Sequence, residues 1–213
     1  VDESEVGSFG LENRVVVDFT AVYRNKTELS ARAGVRFFEL DSGDPLRIKY
    51  DAFVTAERDW LEGFALYSAL KASFGGVAWT DWPEPLRQRE PGALAQAVHD
   101  LDVELEQVRF EQFLLREQWD SVRATARRLN ICIVGDLPIF VAHDSADVWC
   151  ERGLFRLNDD GSPSVVAGVP PDYFSETGQL WGNPLYAWDV HRSDGFSWWR
   201  KRLRKILNWV DVV

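Results

Sequence analysis

Residues 131–149, ICIVGDLPIFVAHDSADVW, constrain this chain more than any other stretch. An uninterrupted apolar run from Ile131 to Val134 stops at Gly135 and Asp136, the pattern of a strand buried on both faces that ends at a polar rim. Ahead of it a long amphipathic segment closes on Arg127, Arg128, Leu129 and Asn130, so the order is helix, short turn, buried strand, loop. That order is half of a βαβ unit. It places Asp136 at the end of the strand, where α/β proteins keep their ligands.

The preceding segment predicts one helix from Pro91, a residue suited to a first helical position, to Leu129. Apolar residues recur along it at spacings of three and four, with one gap, through Leu94, Val98, Leu105, Trp119, Val122 and Ala126. Phe110, Phe113 and Leu114 widen that stripe beyond a coiled-coil seam, which favours packing on a sheet. Residues 192–207 form a shorter helix with a basic face, and Trp209–Val213 reads as the start of the next strand. The second half is therefore a parallel α/β repeat with a crossover. The first half is mainly helical: a helix over 18–31 capped by Asp18, turn chemistry from Asp41 to Leu46, and helices from Tyr50 to Phe74 stopped by Gly75 and Gly76. Between the halves, residues 77–93 are an ordered loop dense in Trp and Pro. The boundaries are residues 1–90 for a helical insertion with connecting loops, and 91–213 for the α/β part.

The segment AGVPPDYFSETGQLWGNPLYAW, residues 167–188, is too long and too apolar for a simple connection. Pro170 and Pro171 stiffen it, Tyr173, Phe174, Trp181 and Tyr186 supply flat faces, and Gln179 and Asn183 supply amide arms. Flat faces with amide arms suit a carbohydrate. The opposite reading is a self-packed loop, and a third is an inert α/β scaffold whose aromatics are all core. Asp136 carries the same duality, between a ligand carboxylate and a turn or capping aspartate. His143, Asp144 and Asp147 crowd the loop beyond it and can support Asp136 through shared charge, or form a structural network.

Other chemistry fits poorly. The spacing of His143, Asp144 and Asp147 matches no dedicated metal loop, so no metal is expected. Neither glycine fingerprint for a nucleotide is present, and no cofactor is expected. Ser145 lacks the Gly-x-Ser-x-Gly elbow of a hydrolase nucleophile. A net charge of -10 argues against nucleic acid and against an anionic membrane surface. The two cysteines, Cys132 in the expected strand and Cys150, make no disulfide framework. With no apolar run long enough to span a bilayer and no export signal, the cytoplasm is the expected compartment. The chain begins at Val1, contains no Met and stops in WVDVV, and is read as a fragment.

Taken together, GDLPIFVAHDSADVW and VVAGVPPDYFSETGQLWGNPLYAW resemble glycoside hydrolase family 77, the amylomaltases and disproportionating enzymes. The resemblance extends upstream through WLEGFALYSALKASFGG, WPEPLRQREP and FEQFLLREQW, covering about Val17 to Val213. It implies a partial (β/α)8 barrel with helical insertion subdomains. It also implies transfer of α-1,4-glucan segments between maltooligosaccharide, amylose or glycogen chains by a retaining double displacement. Asp136 matches a family aspartate that shapes the subsite of the cleaved glucose, and Tyr173, Phe174, Gln179 and Trp181 match a loop over the cleft. The family nucleophile lies in an Arg-x-Asp-His motif on the fourth strand, with the acid/base glutamate later. Neither is expected in this chain, so no catalytic residue is assigned within it. A non-catalytic glucan-binding module is the alternative.

Overall fold

The computed structural model describes residues 41–213, which are helix-rich with one two-stranded sheet. The helix expected over 18–31 lies outside the described residues. Helix α1 spans Pro45–Ser73 and starts ahead of Tyr50, because Asp44 is its cap: Asp44 Oδ1 accepts from the Leu46 amide at 2.7 Å. Pro45 occupies the first turn, where a missing N–H costs nothing. The Asp-Pro pair held this signal inside what reads as turn chemistry. Gly75 and Gly76 end the helix as expected, with φ of 67° and 84°.

The Trp/Pro segment contains a 3-10 turn, Trp79–Asp81, and one unexpected turn of helix, α2 (Glu84–Arg87). Aromatic packing holds it: the Trp82 ring centre lies 5.5 Å from Tyr67 and 5.4 Å from Trp149. The single helix expected from Pro91 to Leu129 is two, α3 (Pro91–Asp100) and α4 (Asp102–Arg128), broken at Leu101. Asp100 opposes the carbonyl end of α3, while Asp102 and Glu104 favour the amino end of α4, so the charges mark the break.

Helix α4 packs on α1 rather than on a sheet. Tyr50 meets Phe110 and Phe113 at 6.0 and 5.6 Å, and Arg109 bridges Glu62 at 2.5 Å and Glu106 at 3.0 Å. The expected stripe is buried only in part: Leu105 and Ala126 are covered, whereas Val98, Val122 and Leu129 are exposed. A heptad stripe drifts about 20° per repeat on a straight helix, so it leaves the α1 contact and Phe110 and Phe113 replace it.

Beyond α4 come α5 (Ala146–Cys150), a 3-10 turn (Arg152–Leu154), β1 (Val166–Val169), β2 (Gln179–Pro184), α6 (Trp188–Ser193) and α7 (Ser197–Trp209). The helix expected over 192–207 is interrupted at Phe196, φ 57°. There the Asp194 carboxylate accepts from the Ser197 amide at 3.2 Å and its hydroxyl at 2.6 Å, and a new helix begins.

The strand expected to be buried on both faces is the main correction. Ile131–Val134 forms a single parallel bridge, Val134 to Val212, supported by the Gly135 amide on Val212 O at 2.8 Å. Val134 is 71% and Ile131 54% exposed, and Cys132 is exposed as well. A strand is covered on both faces only where strands flank it and helices lie over it. Among the described residues the 210–213 segment meets it on one side alone. The parallel pairing agrees with the α/β expectation, but the described residues show no barrel wall.

Candidate functional site

Most of the aromatic segment 167–188 is a β-hairpin, which ends at Pro184 ahead of α6. Strands β1 and β2 pair antiparallel, Gly168 opposite Leu180 and Val169 opposite Gln179, with an irregularity between Val166 and Gly168. Close approach requires glycine here: a Cβ on Gly168 would stand 2.3 Å from Gln179 O. Glycines and prolines obscured both strands at the level of sequence.

The hairpin tip is ordered by its own polar groups. Asp172 Oδ1 accepts from the amides of Phe174 at 2.9 Å and Ser175 at 2.8 Å, an Asx turn, and Ser175 Oγ donates to Gly178 O at 2.7 Å. This turn presents Tyr173 and Phe174 edge to face, centres 5.6 Å apart, at 97% and 89% exposure. Aromatics so exposed on an ordered turn are not core, which removes the all-core scaffold reading for these two. Trp181 is 49% exposed. Its indole N–H donates to Gln179 Oε1 at 3.0 Å, so the amide arm orients the ring.

Asp136 is exposed, directly after the Val134 bridge. The segment that follows it runs against the hairpin. Phe140 meets Trp181 at 6.0 Å, edge to face, a partner that sequence reasoning missed within the IFVA run. Asn183 Nδ2 donates to Val141 O at 2.8 Å. The carboxylate loop and the aromatic hairpin are thus neighbours.

The other predicted residues are tied into the chain or line a separate groove. His143 Nε2 pairs with Gly161 O at 2.8 Å, its ring lies 5.4 Å from Trp79, and its carbonyl accepts from Trp79 Nε1 at 2.8 Å. Asp144 accepts from Tyr67 Oη at 2.8 Å, from the Trp79 amide at 3.2 Å, and from Lys71. Burial alone would raise the Asp144 carboxyl, but hydrogen bonds from Lys71, Tyr67 and Trp79, with the Lys71 charge, hold it below the usual carboxylate range. Ser145 caps α5, accepting from the Val148 amide at 3.3 Å. Asp147 faces a groove of about 650 Å³ between α1, α5 and α7, with Trp60, Arg89, Cys150 and Arg202. No three His, Cys, Asp or Glu side chains converge among the described residues, and no helix there is long and apolar enough to cross a membrane.

Exposed aromatic faces and an oriented amide, on a hairpin packed against the segment that follows an exposed carboxylate, have the chemistry of a surface for sugar rings. Comparison with known proteins supplies the family. A family profile described as 4-alpha-glucanotransferase, of glycoside hydrolase family 77, matches residues 3–213, and the chain belongs to that family. The 4-alpha-glucanotransferase of Thermus thermophilus is 47% identical over 197 residues, covering 92% of this chain and 39% of the relative. A rice 4-alpha-glucanotransferase, chloroplastic/amyloplastic, is 42% identical over 197 residues, covering 92% and 33%. Among solved structures, amylomaltase from Streptococcus agalactiae in complex with acarbose matches at a TM-score of 0.82 and 33% identity, over 92% of this chain and 39% of that one. The chain thus spans between a third and two fifths of these relatives.

Proposed function

We propose that this chain supplies the glucan-contacting part of a 4-alpha-glucanotransferase, an enzyme moving α-1,4-glucan segments from one chain to another. The observation that carries this is the ordered hairpin that bears Tyr173 and Phe174 almost wholly exposed at its tip and, on β2, a half-exposed Trp181 packed on Phe140 of the segment after Asp136. Tyr173, Phe174 and Trp181 stack on glucose rings, Gln179 orients Trp181, and Asp136 accepts hydrogen bonds from sugar hydroxyls. In this reading residues 91–213 contribute part of a (β/α)8 barrel, and residues 1–90 a helical insertion. The cytoplasm is the compartment we assign, although the rice relative is named as chloroplastic/amyloplastic.

A retaining double displacement needs a carboxylate nucleophile and an acid/base carboxyl about 5 Å apart. The chain contains no Arg-x-Asp-His, so the reaction needs groups from outside these residues, and the 213 residues alone do not turn over. The second reading, a glucan-binding module without catalysis, rests on the same hairpin. Maltotriose separates the two. The complete gene product yields glucose and longer maltooligosaccharides if the transferase reading holds. Binding of maltoheptaose without any transfer supports the module.

A further inference from the structure

The residues after Asp136 have no regular secondary structure up to α5, yet their main chain is fixed at two positions, Ile139 and Val141. Tyr186 Oη donates to Ile139 O at 2.6 Å and Asn183 Nδ2 donates to Val141 O at 2.8 Å. Phe140, between them, meets Trp181. Burial is not what holds Ile139, whose side chain is 65% exposed.

Tyr186 is itself immobilised. It is buried, and its ring is wedged among Phe155 at 5.1 Å, Trp199 at 5.1 Å, His191 at 5.5 Å and Trp198 at 5.8 Å. A ring so enclosed places its hydroxyl at one point, and an irregular segment without ladder partners gains register from it. Burial pushes the Tyr186 phenol up, against the charge of Arg202 and with Asp147 in support, so it remains a hydrogen-bond donor through neutral pH.

We propose that Asn183 and Tyr186 are positioning residues. They hold the main chain after Asp136 in register with the hairpin that bears Trp181, setting the carboxylate relative to the stacking face. Neither needs to touch the sugar. Asn183, which the sequence places among substrate-binding residues, commits one N–H of its amide to Val141 O.

The inference rests on the proposed glucan function, and the test separates the two. Tyr186→Phe keeps the ring and removes the bond to Ile139, together with the hydrogen bond that the hydroxyl shares with Arg202. In the complete gene product it raises KM for maltotriose about fivefold, the equivalent of one net hydrogen bond. Asn183→Ala does the same. Tyr67→Phe is the control, since it removes a comparable buried phenol hydrogen bond, to Asp144, away from the hairpin. It lowers the melting temperature by a similar amount and leaves KM unchanged. A Tyr186→Phe enzyme with wild-type KM overturns the proposal, and so does a Tyr67→Phe enzyme whose KM rises equally. Amide hydrogen exchange over residues 139–142 supplies a readout independent of activity. Exchange there is faster in Tyr186→Phe if the staple is real, and unchanged exchange overturns it. A wild-type protein without transfer or maltoheptaose binding sinks the functional reading, while the exchange result still decides the staple.

Discussion

The Tyr67 hydroxyl donates to Asp144 at 2.8 Å, joining α1 to the loop ahead of α5. Lys71, one turn along α1, also binds that carboxylate, and the Trp79 amide completes the set. Asp144 is therefore a knot in the fold, eight positions in sequence from Asp136 but differently employed. Asp144→Ala leaves the buried Tyr67 hydroxyl and the Trp79 amide unpaired and costs about 2 kcal/mol. Chemical denaturation measures it, and an unchanged midpoint contradicts the assignment.

The same pair gives a pH dependence. The folded Asp144 carboxyl is held below its ordinary range. Its contribution is full above the ordinary carboxylate value, about 4, and is lost as pH falls through the depressed value. Tyr67 is raised, first by burial and then by Asp144. Its contribution is full below the ordinary phenol value, about 10, and is lost as pH rises beyond it. Melting temperature against pH flattens between these limits. Asp144→Asn removes the acid-side loss due to this residue.

Two kinds of tryptophan are predicted to respond oppositely. Trp149 is fully buried against Tyr67 and Trp82, and its indole N–H donates to Leu86 O at 3.0 Å. Trp149→Ala costs about 3–5 kcal/mol. Trp181→Ala, at a half-exposed ring, leaves the melting temperature nearly unchanged and weakens maltoheptaose binding about tenfold, through lost stacking area worth about 1.5 kcal/mol. Calorimetric titration and a thermal melt distinguish them.

The hairpin tip depends on Gly178, at φ 75°, where a Cβ would stand 2.5 Å from Val169 O. Gly178→Ala strains the left-handed backbone and pushes the strands apart, at about 1–3 kcal/mol locally. The expected result is weakened maltoheptaose binding with the α1–α4 core intact, read by calorimetric titration and circular dichroism.

Helical content, the stops at Gly75–Gly76 and the aromatic segment were legible because they rest on local chemistry. Strong glycine signals and runs of Trp, Tyr and Phe need no tertiary information. The break at Leu101 and the turn at Phe196 were not, since apolar spacing continues across them and only flanking charges mark them. Ile131–Val134 was misjudged for burial because burial belongs to neighbours, and an apolar run says nothing about how many are present. For the candidate site, composition pointed to Tyr173, Phe174 and Trp181. It did not foretell that Asn183 binds Val141 O, or that His143 and Asp144 join the Trp79 knot, since those partners come from distant parts of the chain.

Asp136→Asn in the complete gene product tests the carboxylate. Loss of a charge-assisted hydrogen bond to a sugar hydroxyl lowers kcat/KM by about 1.5–3 kcal/mol, with stability unaffected at this exposed position. Unchanged kinetics reduce Asp136 to a turn residue.

Incubation of the complete gene product with maltotriose, with products separated by chromatography and reducing ends counted, tests the central claim most directly. The expected products are glucose and longer maltooligosaccharides, with a constant number of reducing ends. Rising reducing ends would show hydrolysis instead of transfer, and an unaltered substrate would show no reaction. Either would contradict assignment of this chain to a working glucanotransferase.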